Sequence, residues 1–151
     1  MTALLFVYGT LKQGFPNFPL NAGRRLQGLY RTRQPFPLYV VQLANEERAP
    51  WLMDDAGRGH QVLGQVFEVD DAALAAMDRF EEVGQPTGYV RAEVELEPAG
   101  AMDDPALVLP QAVRAQVYLK PVLDLPRCRM VEGPFEEYTL ALAQGYRLSA
   151  T

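Results

Sequence analysis

Histidine, serine and cysteine each occur once in the 151-residue chain, as His60, Ser149 and Cys128. A Ser-His-Asp relay needs a serine beside a histidine and an acid, and a lone Ser149 close to the end of the sequence does not supply it. Cys128 and His60 have the residue types of a thiol dyad, but no local signature accompanies either. A structural zinc site lacks ligands. "GTLKQG" (Gly9 to Gly14) spaces two glycines like the start of a phosphate loop, yet Phe15-Pro16 stands where Lys-Ser/Thr is required, and there is no G-x-G-x-x-G. What remains is carboxylate chemistry assisted by backbone N–H groups. Two acids qualify. In "DDAALAAMDRFEE" (Asp70 to Glu82), Leu74 and Met77 define an apolar stripe. Asp78 lies four residues from Leu74, and Glu81 four from Met77 and seven from Leu74. A carboxyl beside a buried stripe has its pKa raised toward the range where it can take and return a proton near neutrality. The donors would come from Tyr8-Gly9-Thr10-Leu11. Gly9 lets the chain turn and a ligand approach, and consecutive N–H groups can form an anion or oxyanion nest. A plain strand-ending turn fits the same residues.

These groups need elements to hold them. Ala3 to Tyr8 is a continuous apolar run that Gly9 ends, a buried strand. Gln13 to Arg24, with two prolines, two glycines and two asparagines, is a loop. Leu26 to Thr32 and Pro37 to Leu43 are short strands, and Arg48 to Gly59 is a strand or loop ending in a turn. Gln61 to Val69 is a strand whose Gly64 marks a bulge or a close backbone approach. Asp70 to Glu82 is the strongest helix, with Asp70 as N-cap. Tyr89 to Leu96 alternates, with Val90, Ala92, Val94 and Leu96 on one face and Tyr89 and Arg91 on the other. Pro98 to Pro110 is a loose loop, Val113 to Leu119 a strand, and Pro121 to Pro134 irregular. Phe135 to Gln144 is a second helix stopped by Gly145. The expectation is an α+β domain spanning residues 1–151, a small mixed β-barrel with flanking helices.

Composition narrows the function classes. Hydrophobic residues make up 48% of the chain, enough for a core. The net charge of −5 without a basic stripe argues against nucleic acid. A single cysteine forms no internal disulfide, and no apolar run approaches the ~18 residues of a membrane span. The N-terminus has no signal-peptide pattern. A cytoplasmic protein with no membrane partner is expected; its oligomeric state is left open.

The ordered set "VYGTLKQGFPNFPL", "PWL" (Pro50 to Leu52), "GQVFEVDDAALAAMDRFE" and "YVR" (Tyr89 to Arg91) resembles the gamma-glutamylcyclotransferase superfamily, from about residue 4 to Leu119. Pro16-Asn17 and Pro50-Trp51-Leu52 bring it closest to the gamma-glutamylamine branch. The resemblance implies a compact mixed barrel and makes Glu81 the general acid/base. It places Tyr8, Gly9, Thr10 and Leu11 in the substrate cavity. Tyr89, eight residues beyond Glu81, is a further candidate wall.

The implied reaction suits these parts. A gamma-glutamyl group carries its own nucleophile, the α-amine, which can attack the γ-carbonyl and close the five-membered lactam 5-oxoproline. No enzyme nucleophile, metal or cofactor is needed; the protein must fold the substrate, move a proton and stabilise the oxyanion. The expected partner is a small gamma-glutamyl compound, a gamma-glutamylamine such as gamma-glutamyl-ε-lysine in preference to a gamma-glutamyl amino acid, whose extra carboxylate would call for a nearby cation. Lys12, Arg91 and Lys120 are the cations to locate. The alternatives are a cyclotransferase for gamma-glutamyl amino acids or for a specialised gamma-glutamyl intermediate, a small-carboxylate binding module, and a structural protein without a ligand.

Overall fold

A computed structural model describes residues 2–99 and 113–148. The strands are β1 (Thr2–Val7), β2 (Arg24–Arg25), β3 (Leu29–Thr32), β4 (Leu38–Gln42), β5 (Glu46–Glu47), β6 (Ala49–Leu52), β7 (Leu63–Asp70), β8 (Val90–Ala99), β9 (Val113–Leu119), β10 (Met130–Glu132) and β11 (Arg147–Leu148). The helices are α1 (Asp71–Phe80) and α2 (Leu140–Ala143). This is the mixed α+β architecture expected, mostly strand.

The main sheet closes on itself. β1 pairs with β7, β7 with β3, β3 with β8, β8 with β9, and β9 returns to β1. The β1–β9 contact is parallel, at Leu5↔Gln116, and the others are antiparallel, which makes the ring mixed. Closure explains the pattern of β1. Phe6 points into the ring with Val66, Val94, Leu96, Ala115 and Val117. Leu5 and Val7 pack on the outside with Phe67, Val69, Tyr118 and the buried Met77 of α1. A strand covered on both faces is apolar throughout, whereas β8 alternates because only one of its faces is covered. On β8, Val94 and Leu96 are buried as the alternation requires, while Val90, at the strand's first position, is exposed.

Two small sheets complete the site. β4 pairs with β6 and β10, and this sheet buries Trp51, Val41 and Met53. It meets the barrel at a bridge between Met53 and Lys120, where the Lys120 N–H donates to the Leu52 carbonyl at 2.8 Å. The β5–β11 pair brings Glu46 opposite Leu148.

Helix α1 starts where the sequence indicates: the Asp70 carboxylate accepts from the Ala73 N–H at 2.7 Å. It stops at Phe80 rather than Glu82. Glu81 has φ −84° and ψ 2°, and Glu82 has φ 56°, so the chain leaves the helix at the glutamate itself. The second predicted helix shrinks to the four residues of α2. Its expected first half is tied to strands instead: Phe135 N–H donates to Leu38 O and Leu63 N–H to Glu136 O, both at 2.8 Å. Sheet-edge hydrogen bonds thus displace helical ones that the sequence pattern favours. The segment from Pro121 to Pro134 holds a 3-10 turn (Val122–Arg127) and β10, and the predicted strand from Leu26 starts only at Leu29. Most of the Pro98 to Pro110 loop and Ser149 lie outside the described residues.

Gly64 marks a close approach. A Cβ there would stand 2.5 Å from the Val7 carbonyl oxygen and 2.6 Å from the Phe6 ring. Gly64→Ala is therefore expected to destabilise the fold by about 1–3 kcal/mol, the usual range for overpacking. Thermal unfolding checks this, and an unchanged Tm would show that the ring has room at this crossing.

Candidate active site

One cavity of about 190 Å³ lies between the barrel mouth, the end of α1 and the two small sheets. Tyr8, Gly9, Thr10, Leu11, Glu81 and Tyr89 all line it. The loop after β1 and the end of the long helix, separated by some seventy residues, thus face one space.

The loop is rigidly held. The Tyr8 hydroxyl donates to the Tyr118 carbonyl at 2.6 Å, and Lys12 N–H closes a turn on Gly9 O at 3.1 Å. Asn17 N–H donates to Thr10 O at 2.8 Å, and its side-chain amide donates to Thr10 Oγ1 at 2.9 Å. Among the described residues no acceptor takes the N–H groups of Gly9, Thr10 and Leu11. Gly9 is required for a reason that its sequence does not reveal. An added Cβ would run into the ring of Pro50, so the space beside this glycine is filled by the protein rather than left open for a ligand. The Pro50 carbonyl accepts from the Tyr89 hydroxyl at 3.2 Å.

Glu81 owes its position to how α1 ends. Met77 fixes the helix on the barrel, and the turn after Phe80 leads the chain back so that Tyr89 N–H donates to the Glu81 carbonyl at 3.0 Å. No protein donor is hydrogen-bonded to the Glu81 carboxyl among the described residues. Its pKa is raised from 4.5 to about 8, by burial first and by the Glu46 carboxylate second, with Lys120 opposing them. Burial likewise raises the phenols of Tyr8 and Tyr89 well above their ordinary value, so both stay neutral walls.

The runner-up acid is elsewhere. Asp78 accepts from the Tyr118 hydroxyl at 2.8 Å and pairs with Arg91 Nε at 3.3 Å, and neither Asp78 nor Arg91 lines the cavity. Lys12 is buried beneath Phe15 and donates to the Tyr138 carbonyl at 2.6 Å, also outside the cavity. Lys120 does line it. Its ammonium sits between the rings of Trp51 (4.7 Å) and Tyr89 (4.6 Å), donates to Thr87 O at 2.6 Å and lies 4.0 Å from Asp124. The segment after Leu119, whose part in the pocket wall the sequence left open, thus contributes Lys120, Arg127, Tyr146 and Leu148. Sequence reasoning missed Glu46 and Tyr146. Nothing in the spacing of "ANEERAPWL" or "AQGYRLS" marks either, because a two-residue strand pair brings them in. Asn17 carried a signal, lying in the quoted N-terminal stretch.

Among the described residues no group of three or more His, Cys, Asp or Glu side chains is arranged to hold a metal, and no helix is long and apolar enough to cross a membrane.

A mostly strand-built fold with a donor-free glutamate facing a backbone loop defines a recognisable class. The family described as gamma-glutamyl cyclotransferase, AIG2-like, matches residues 5–139, and the chain belongs to it. The gamma-glutamylaminecyclotransferase of Homo sapiens is 38% identical over 128 residues, 77% of this chain and 77% of the human protein. That of Bos taurus is 38% identical over 100 residues, 63% of this chain and 58% of the bovine one. A crystal structure of an AIG2-like protein from Mus musculus superposes with a TM-score of 0.75 at 29% identity, over 99% of this chain and 97% of that one.

The raised pKa of Glu81 has a consequence for stability. Between 4.5 and about 8 the folded chain holds a proton that the unfolded chain has released. Stability contributed by this group therefore falls as pH rises through that window. Glu81→Gln removes the ionisation and keeps the shape. The Tm of Glu81→Gln minus that of the native protein should be small at pH 5 and increasingly positive toward pH 8.5. A difference that does not change with pH would mean that Glu81 titrates as an ordinary carboxyl.

Proposed function

We propose that the protein cyclises a gamma-glutamylamine, releasing 5-oxoproline and the free amine, with Glu81 as the proton carrier. The observation that carries this reading is a carboxyl, pushed up to about 8, in the same cavity as the consecutive N–H groups of Gly9, Thr10 and Leu11, with neither the carboxyl nor those N–H groups hydrogen-bonded to another of the described residues. The substrate's α-amine nitrogen attacks its own γ-carbonyl carbon. Glu81 takes the proton that the amine loses, the carbonyl oxygen becomes an oxyanion near Gly9, Thr10 and Leu11, and the amide C–N bond breaks. The same proton passes from Glu81 to the leaving nitrogen, so the carboxyl ends as it began. Both reacting groups belong to one molecule, so the protein contributes by holding the substrate in the folded conformation from which the five-membered ring closes. The reaction is an internal acyl transfer; electrons stay paired throughout and no redox cofactor is called for. Tyr8, Leu11 and Tyr89 wall the cavity around the reacting atoms.

The leaving-group side is supported by the likeness to proteins named gamma-glutamylaminecyclotransferase and by Trp51, a fully buried aromatic in the lining. Lys120 and Arg127 favour a second reading, since cations near the leaving amine would suit the extra carboxylate of a gamma-glutamyl amino acid. Every gamma-glutamyl compound brings an α-carboxylate of its own, however, so a cation in the lining does not by itself single out gamma-glutamyl amino acids. The substrate is a small molecule rather than a nucleic acid, in keeping with the acidic chain, and a cytoplasmic site of action fits its single cysteine.

The test compares kcat/KM for gamma-glutamyl-ε-lysine, gamma-glutamyl-alanine and glutathione on one preparation, with 5-oxoproline as readout. The isopeptide should lead. A lead for gamma-glutamyl-alanine would move the protein to the amino-acid reading. Glu81→Gln should lower turnover by roughly 10²–10⁴-fold, the size of a general acid/base contribution, and near-native turnover by the folded variant would remove Glu81 from the role.

A further inference from the structure

Glu46 is a carboxylate in the cavity for which the reaction as described has no use. It is half-buried and lines the same space as Glu81. Among the described residues no lysine or arginine comes within ion-pair distance of it. Lys120, the obvious partner, is already engaged by Thr87 O and Asp124. One group does hold Glu46: the Tyr146 hydroxyl donates to its Oε2 at 2.9 Å, and Tyr146 in turn accepts from the Asn17 side-chain amide at 3.0 Å. Asn17 also donates to Thr10 Oγ1. A chain of four side chains, Thr10, Asn17, Tyr146 and Glu46, therefore locks one carboxylate to the loop that receives the γ-carbonyl.

An oriented carboxylate in a cavity, with no lysine or arginine among the described residues at ion-pair distance, suits a cation brought by the ligand. Resting on the function proposed above, we propose that Glu46 binds the α-ammonium of the gamma-glutamyl substrate and aims that nitrogen at the γ-carbonyl. Burial raises the Glu46 pKa, and the hydrogen bond from Tyr146 and the charge of Lys120 oppose that shift. The hydrogen bond also fixes the direction of the carboxylate, which acts as a pointer while the proton itself moves through Glu81. Several groups face Glu46. Tyr146 comes from the β11 side, Lys120 from the end of β9, and Glu82 from the turn after α1, and Glu81 feels its charge from the end of α1. The two glutamates repel each other's charge, and an ammonium between them relieves that repulsion. Binding of substrate thereby favours the ionised form of Glu81, which takes one proton from the ammonium and so frees the lone pair that attacks. The α-nitrogen loses its second proton on ring closure. Both protons pass through Glu81 to the leaving nitrogen, which departs as an ammonium and leaves Glu81 ionised. Selectivity follows as well: a compound without the α-amine should lose the contact with Glu46 while keeping every other contact.

The experiment reads binding rather than turnover. Dissociation constants are measured by calorimetry for gamma-glutamyl-butylamide and for glutaric acid mono-butylamide, which lacks the α-amine. Both are titrated into Glu81→Gln protein with and without Glu46→Gln. With Glu46 present the amine-bearing compound should bind about tenfold or more tighter than the other, as expected of a charge-assisted hydrogen bond. With Glu46→Gln the ratio should fall to near one, the affinity of the amine-free compound staying within about twofold. A ratio that survives Glu46→Gln, or an equal weakening of both compounds, overturns the proposal. Should Glu46→Gln not fold, Tyr146→Phe is read the same way: a reduced ratio supports the aiming role and an unchanged ratio overturns it. Turnover of the native chain is assayed in parallel. Its absence on every gamma-glutamyl compound would sink the proposed reaction, whereas the binding ratio judges Glu46 separately.

Discussion

The structure turns on one unfavourable placement: a glutamate carboxyl set into a cavity with no donor among the described residues to satisfy it. In water a carboxylate is strongly hydrated; here the walls are Tyr8, Phe80, Tyr89 and Trp51, and the neighbouring charge of Glu46 has the same sign. The ionised form is penalised on both counts, and its pKa moves into the range where a proton can be taken and returned. Lys120 moderates the effect without cancelling it, because much of its charge is spent on Asp124 and the Thr87 carbonyl.

Most of the fold can be understood as what holds that carboxyl in place. The helix carrying it is capped by Asp70 at one end and pinned by Met77 against the outer face of β1 and β7. At the other end Glu82 adopts a left-handed backbone, which releases the chain toward Tyr89 and turns the Glu81 side chain to the cavity rather than to solvent. The closed ring of strands supplies a rigid mouth, with the loop after β1 fixed by Tyr8, Lys12 and Asn17. The small sheets close the remaining sides: β6 sets Pro50 against Gly9 and Trp51 beneath Lys120, and β5 with β11 presents Glu46 and Tyr146.

What was legible in the sequence followed from local rules. β1 shows as an unbroken apolar run because closure covers both its faces. Asp70 and the alanine-rich stretch announce α1, and the stripe through Leu74 and Met77 places Glu81 beside the buried face. That stripe does not separate Glu81 from Asp78; the resemblance did so, and the geometry explains the difference, since Asp78 is taken up by Tyr118 and Arg91. What was not legible depends on distant partners. Phe135 to Gln144 has helical periodicity, but Leu38 and Leu63 claim its backbone. Gly9 looks like room for a ligand, but Pro50, forty-one residues on, fills that room. Glu46 and Tyr146 meet only through a pairing of two-residue strands a hundred residues apart, which no periodicity announces.

Burial holds the Glu81 carboxyl near neutrality, and titrating that carboxyl itself is the most direct measurement of it. Glutamate labelled with ¹³C at the side-chain carboxyl, with the Glu81 resonance assigned by its absence in Glu81→Gln, gives a chemical shift that follows ionisation as pH is varied. A midpoint at about 8 is expected. A midpoint near the ordinary ~4.3 of an exposed glutamate would show a solvated surface acid, and the account of this cavity would not stand.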